Sequence, residues 1–425
     1  MPLTRRQFLG LAGGAAVTGT AGWAALIRDH ASSTTGSSAS SDGAPGILGH
    51  PDNVLVVVQL SGGNDALNTV VPHIGTYHDL RPDLGIADAD LVALSGETSV
   101  GLHPSLGPLR DLWDAHHLGI VTDIGFADDS RSHFESLAAW WAADPKHQQA
   151  GGWLGRWLDA TQPPDATPLV AVALGGGAAP ALRAQRARST AINDLQSFAL
   201  NAPGAKRAGS NAMADAFLAT SAPASTDPLL AASQAAVAGA VEATKVLAKV
   251  SASGSAAAPV EGDDPEQYKG AVTEGLSAAA KLLELDLGTR VVLVSASGFD
   301  THAGQADTQQ RLLGDVAGGL KAFYAQLAGT GRAERVLTIT TSEFGRRAQQ
   351  NGSGGTDHGH GGAHFVVGPM AAGGLHGSVD VAKLADGDLQ CATDTRSLYA
   401  AALDWLGGPT DEILGGSYDR MGLVA

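Results

Sequence analysis

Cysteine is nearly absent from this 425-residue chain. Cys391 stands alone, so no internal disulfide can staple the fold. Basic residues are scarce as well: 27 Lys and Arg face 43 Asp and Glu, for a formal net charge of −16, and no basic run occurs beyond the N-terminus. That excludes nucleic acid as a partner, because phosphate binding draws on clustered Lys and Arg. A bare membrane surface is an equally poor match. Haem, iron–sulfur and dinucleotide motifs are missing, which leaves an exported redox enzyme without support. No internal repeat of fixed period is evident. What is present is enough apolar sequence, 44% against 16% charged, to bury a large core as one big domain or two smaller ones.

The N-terminus carries an address. Thr4-Arg5-Arg6-Gln7-Phe8-Leu9-Gly10 sets paired arginines ahead of an apolar run from Leu9 to Leu26, broken by Gly10, Gly13, Gly14, Gly19 and Gly22. This has the form of a twin-arginine export signal over residues 1–30, with the twin-arginine translocation machinery as a partner and an extracytoplasmic destination: periplasm, cell surface or secretion. The run approaches the roughly 20 residues of a membrane span, but its glycines favour cleavage or a weak anchor over a stable span. A Ser/Thr/Gly/Ala-rich stretch follows, which reads as a flexible linker over 31–50.

From residue 51 to the end the chain reads as one α/β domain. Apolar runs predict strands at Asn53–Leu60, Gly119–Ile124, Leu169–Leu174, Arg290–Ser295 and Val336–Thr340; helical patterns intervene at Leu106–His117, His133–Ala143, Gln309–Leu327 and Thr395–Leu406. The continuous apolar run at Asn53–Leu60 marks burial on both faces, and strands alternating with helices give the expectation of a large, mostly parallel central sheet with helices on both sides. At about 178–285 the composition turns to Ala, Ser and Gly, which suggests a helical insertion covering an edge or acting as a lid.

Ionisable residues gather just beyond three of these strands. Ser61-Gly62-Gly63-Asn64-Asp65 ends the first, Phe299-Asp300-Thr301-His302 follows the fourth, and the fifth runs into Glu343 and then Thr356-Asp357-His358-Gly359-His360-Gly361-Gly362-Ala363-His364. Imidazoles and carboxylates are the usual ligands of zinc, manganese or iron, and glycines let short side chains approach a common point. Asp65, Asp300, His302, Glu343, Asp357, His358, His360 and His364 are therefore candidate ligands for one or two divalent ions, calcium included. A bland reading stands beside each: Asp65 as a helix cap, His302 as a loop histidine bonded to a neighbouring Asp. Ser132, with Glu135 three residues on, forms a capping box in Arg131-Ser132-His133-Phe134-Glu135, yet a Ser at a helix N-terminus also suits a nucleophile. Arg131 suits an anionic substrate. Trp140, Trp141, Trp153 and Trp157 read as core packing rather than a pocket wall.

Together Leu60–Pro72, Arg131–Glu135, Phe299–His302, Ser342–Arg346 and Gly355–Gly359 resemble the bacterial family known as domain of unknown function 1501, from about Asn53 to the C-terminus. That family is grouped with the alkaline phosphatase and sulfatase-like hydrolases, and the resemblance implies their α/β architecture and a two-metal site. Carried over, Asp65 resembles the carboxylate after the first strand, and Ser132, or else Ser130, the nucleophile. Asp300 and His302 resemble a later Asp/His pair. The superfamily's adjacent Asp-His matches Glu343-Phe344 by position or Asp357-His358 by residue type, and His360 or His364 resembles the last ligand. The implied activity is metal-assisted hydrolysis of a phosphate or sulfate ester through Ser132, with Arg131 or Arg346 holding a small anionic ester or glycan substrate. The alternative is a non-catalytic secreted binding protein with a degenerate or structural metal site.

Overall fold

Val54-Leu55-Val56-Val57-Val58-Gln59-Leu60 has almost no polar residue to turn toward water. In the computed structural model this stretch is β1 (Val54–Leu60), buried at every position. The structure describes residues 48–163, 166–175, 179–192 and 270–424, with scattered positions between 219 and 238. Two units divide the chain: Met1–Ala44 with Ala199–Val246, and Pro45–Phe198 with Leu247–Ala425. Everything below concerns the second. The export signal, all but the end of the linker, and most of the Ala-rich region lie outside the described residues. No helix among the described residues is long and apolar enough to cross a membrane.

The other strands of the main sheet are β4 (Leu118–Gly125), β5 (Ala171–Leu174), β6 (Thr190–Ile192), β7 (Val291–Ala296), β8 (Val336–Thr341), β9 (Gly362–Val367), β10 (Gly374–His376) and β11 (Thr393–Asp394). A separate antiparallel ribbon joins β2 (Val70–Pro72) to β3 (Val100–Leu102). In the main sheet the order is β10-β4-β9-β8-β1-β7-β5-β6, with β11 also on β4. The pairs β1/β7, β1/β8, β5/β7, β5/β6, β4/β10 and β4/β11 are parallel; only β9 runs antiparallel to its neighbours β8 and β4. The expected α/β architecture with a mostly parallel sheet is what forms.

Five helices longer than two turns are described: α1 (His133–Ala142), α2 (Trp153–Thr161), α3 (Ala271–Glu284), α4 (Gln305–Ala328) and α5 (Thr395–Leu406). Strand alternation shows how they cover both faces. Leu55, Val57, Leu293, Leu337 and Ile339 share a core with Trp140, Trp153, Trp157, Tyr399 and Trp405, the side of α1, α2 and α5. On the opposite face, a Cβ at Gly275 of α3 would lie 2.4 Å from Val294, and Tyr324 of α4 bonds Thr338 at 2.9 Å. Both ends of the stretch expected to be an insertion join the main domain: β6 extends the sheet beside β5, and α3 packs on β7.

Two expectations change. Leu106–His117 is not one helix but a 3-10 turn, Pro104–Leu109, leading into a short α-helix, Arg110–Asp114; Pro108 inside the run has no N–H to continue an α ladder. The Gly361-Gly362-Ala363-His364 stretch is not loop throughout. Gly362–Val367 turns back as β9 between β8 and β4, and this places His364 opposite Val121 inside the sheet.

Candidate metal centre

Three imidazoles and one carboxylate meet beyond the C-terminal ends of β1, β7 and β8. Asp300 and His302 come from the loop after β7, His133 opens α1, and His358 lies in the connection between β8 and β9, where it bridges to Arg346. Asp300 Oδ1 is 3.1 Å from His302 Nε2 and 3.2 Å from His358 Nε2, and Asp300 Oδ2 is 3.4 Å from His133 Nε2. The Nε2 atoms of His302 and His358 are 2.9 Å apart. His133, Asp300 and His358 offer one ligand atom each within a common 4.8 Å.

The far side of each ring fixes which nitrogen faces inward. His133 Nδ1 donates to Glu343 Oε1 at 3.0 Å, His302 Nδ1 to Asp357 Oδ1 at 3.2 Å, and His358 Nδ1 to the Arg131 carbonyl at 2.9 Å. All three acceptors lack a hydrogen to give, so each Nδ1 carries one. Every Nε2 is left as the inward-facing nitrogen: those of His133 and His358 face Asp300 as hydrogen-bond donors in the metal-free protein, and a divalent ion on the same nitrogens would replace those protons. Tetrahedral bonds of about 2.0–2.1 Å would hold donors about 3.3 Å apart, close to the spacings observed. Metal-bound histidines characteristically donate their second N–H to a carboxylate or carbonyl in this way. The donor set therefore fits a divalent ion on His133, Asp300, His302 and His358.

Close backbone approach makes the cluster possible. Gly62 has φ +122°, and a Cβ there would lie 2.2 Å from the Asp300 backbone nitrogen; the Gly62 N–H instead donates to Glu343 Oε1 at 2.7 Å. One at Gly63 would strike the buried Phe344 ring, against which His133 and His358 pack with ring centroids 5.0 and 4.5 Å away. Electrostatics follow from the contacts. Hydrogen bonds to Asp300 and then Glu343 raise His133 to about 9 against the opposing effect of burial. Burial pushes the Asp300 carboxyl up, but hydrogen bonds from His133, His358 and Arg346 outweigh it and hold the group far below the usual carboxylate range. Asp357 is lowered by its bond from Asn351, helped by His302.

Of the ligands expected from sequence, Asp300, His302 and His358 come together, and Glu343 and Asp357 stand behind the rings as their orienting acceptors. Glu343 Oε2 is buried with no partner. Three others lie elsewhere. Asp65 caps the turn Ala66–Thr69 by accepting from Leu67 N–H, and its oxygens are taken by Arg81 at 2.5 and 3.0 Å and Gln305 at 2.5 Å. The cap reading is the one that forms, with a buried ion pair added. His360 faces the buried Asp388, 3.8 Å away. His364 is enclosed against Trp140, its two nitrogens have no hydrogen-bond partner, and burial lowers it to about 3. Arg346 is not available to an anion: its buried guanidinium donates to the carbonyls of Gly62, Gly63, Phe299 and Thr356 and to Asp300. Arg131, a third exposed, pairs with Asp388 at 3.0 Å.

Ser132 is the N-cap of α1 as expected, but its hydroxyl makes no capping bond, so the capping box does not close. His133, the residue beside it, was missed as a ligand. Its signal was present: an imidazole in the first turn of the same helix, next to the Ser that drew attention.

A buried strut ties the two loops of the centre together. Gln305, the first residue of α4, accepts from Thr301 Oγ1 at 3.1 Å and from Thr356 Oγ1 at 2.6 Å, and donates to Asp65. Thr301 separates Asp300 from His302; Thr356 directly precedes Asp357.

No curated protein matches the chain. Among solved structures it is similar to a lipoteichoic acid synthase of Listeria monocytogenes (8% identity, 89% of this chain and 78% of that one, TM-score 0.36). It is also similar to a sulfatase of a Pseudoalteromonas species (13%, 88% and 72%, TM-score 0.36) and to a phosphonate monoester hydrolase of Silicibacter pomeroyi (13%, 87% and 76%, TM-score 0.35). A family model matches residues 87–421, most of the α/β domain, and the chain belongs to that family, described as protein of unknown function (DUF1501).

Proposed function

We propose that this protein is an exported hydrolase that uses a divalent metal ion to cleave an anionic phosphate or sulfate ester. The carrying observation is the set of three imidazoles, each with Nδ1 tied to an outer acceptor and Nε2 turned toward Asp300. His133, Asp300, His302 and His358 would hold the ion; zinc, manganese and iron all suit the donor set. When bound, such an ion withdraws charge from ester oxygens and lowers the pKa of a neighbouring hydroxyl.

Ser132 is the nucleophile in this reading. Its hydroxyl makes no capping bond, and it stands at the N-terminus of α1, where the helix dipole favours a developing anion. Attack forms a bond from Ser132 Oγ to phosphorus or sulfur, breaks the bond to the leaving alcohol oxygen, and passes a proton to that oxygen. Water then cleaves the serine ester and restores the hydroxyl. Arg131, fixed by Asp388 and with its carbonyl on His358, would steady the anionic group. Arg5-Arg6 and the run behind it support export by the twin-arginine route.

A second reading has its own observation: Arg81 and Gln305 occupy Asp65, the residue expected to extend the site to two metals. A single structural ion in a binding protein would look like this. Metal content and turnover separate the two. Wild-type protein should carry about one equivalent, lost in an Asp300→Ala/His302→Ala variant, and should hydrolyse p-nitrophenyl phosphate or sulfate esters. Ser132→Ala should keep the metal and lose turnover by about a thousandfold or more. Metal without turnover on any ester would favour the binding protein with a structural ion; no metal in either protein would end the hydrolase reading and leave a binding protein with a degenerate site.

A further inference from the structure

Beside the metal centre the sheet opens into a cavity of about 260 Å³ at the C-terminal ends of β1, β5 and β7. Gln59, Ser61, Trp141, Ser295 and Ser297 line it beside an apolar part that includes Leu174, Pro180 and Leu293, and none of the described residues in its wall is charged. Polar ligands of α/β sheets sit in this position, outside the strand C-termini. The lining is orderly. Gln59 accepts from the Trp141 indole N–H at 2.8 Å and donates to Ser61 Oγ at 2.8 Å, which fixes the indole plane and turns the serine.

The cavity and the centre are built from the same segments. Ser61 directly precedes Gly62, whose N–H holds Glu343, and Ser297 lies three residues before Asp300. Helix α1 spans the rest: His133 begins it, and Trp141 follows eight residues later, about 12 Å along the axis. Phe134, 60% exposed, and Trp141 are seven residues apart and so share one face of that helix, leading from the centre toward the cavity.

From this juxtaposition we infer that the cavity seats the uncharged, hydroxyl-rich part of the substrate, a sugar ring or similar polyol, while its anionic ester reaches the metal centre. The inference rests on the ester-hydrolase reading for the second half only. Three features carry it. Serine hydroxyls and a side-chain amide both donate and accept, as hydroxyl groups require. An indole gives an apolar face to the C–H side of a ring while its polar edge stays bonded. The volume falls below the roughly 300–1,000 Å³ of drug-sized sites, which suits a single ring. Among the described residues an ionic moiety would find no counter-charge there, at a desolvation cost that an uncharged ring avoids.

The test uses the metal-loaded full chain with four probes in calorimetric titration: the methyl glycosides of glucose, galactose and mannose, and phenol as an apolar ring. Saturable millimolar binding of at least one glycoside, tighter than phenol, is expected. Ser297→Trp, a change at an exposed position that fills the cavity, should weaken it at least tenfold with melting temperature and metal content unchanged. Trp141→Phe, which keeps a ring but loses the bond to Gln59, should weaken it less. Phenol alone binding, no glycoside binding, or full binding by Ser297→Trp would each overturn the proposal. The same titrations on Asp300→Ala/His302→Ala keep the two readings apart: glycoside binding that survives loss of the metal leaves the sugar seat standing whatever becomes of the ester chemistry.

Discussion

His133 is charged at neutral pH while its ring also serves the centre, and those two roles compete. In the metal-free protein the raised value of about 9 means that the stabilisation from its partners is fully present below the unfolded value of about 6.5 and is lost as pH rises through about 9. A metal must expel that proton, so its affinity should climb with pH up to about 9, and proton release on zinc titration at pH 7 reads this directly. Glu343→Gln keeps the shape but weakens the acceptor behind His133; metal affinity should fall about 10–100-fold with little loss of helix content. An unchanged zinc dissociation constant would show that Glu343 does not orient the ring. His364 has the opposite sign. Burial holds it near 3, so the stability of its neutral form is present above about 6.5 and is lost as pH falls toward 3, at up to roughly 1.4 kcal/mol per pH unit. Thermal melts at pH 7 and 4.5 should show a smaller drop for His364→Leu than for wild type. His103, pushed down to about 4 by burial, leaves a residual slope in both proteins. Equal drops would remove His364 as an acid-sensitive group.

At the scale of elements, the centre depends on how α4 meets the loops after β7 and β8. Gln305 is fully buried and bonds both loops, whereas Gln309, one turn on, reaches the Asp65 carbonyl at 3.1 Å but neither loop. Gln305→Ala should therefore weaken zinc by about tenfold or more, and Gln309→Ala should not, though each leaves a buried polar group short of a partner at a cost of about 1–3 kcal/mol. Equal zinc affinities in the two variants would make Gln305 a packing residue only. The main strands were legible as apolar or β-branched runs, and β1, β7 and β8 form within about a residue of their expected bounds. β9 was not. Its glycines and histidine look like loop, and it becomes a strand because it fits between β8 and β4, where the sheet supplies hydrogen bonds that its own propensity does not.

For the whole molecule, loops that are far apart in sequence share one ion, so metal and fold are thermodynamically linked. A ligand that binds only the native state at a hundred times its dissociation constant adds about 2.7 kcal/mol. Treatment with a chelator should lower the calorimetric melting temperature by a few degrees, and zinc should restore it. The Asp300→Ala/His302→Ala variant should show no such difference. A wild-type melt indifferent to chelator and zinc would argue that the cluster binds no ion in solution.

Residue order alone determined that a buried, mostly parallel sheet would form and that acid and histidine residues would collect beyond β1, β7 and β8, because hydrophobic runs and strand ends are local properties. It also singled out Asp300, His302 and His358. Tertiary structure decided the rest. Asp65 looked as eligible as Asp300 until Arg81 and Gln305 closed on its oxygens, and His364 matched a ligand until β9 carried it into the core. His133 entered because α1 begins where the β7 and β8 loops end, and Glu343 moved behind it because the Gly62 N–H and the imidazole claim the same oxygen. Whether a carboxylate meets a cation, a peptide N–H or a histidine depends on which distant segment packs against it, and no local pattern holds that information.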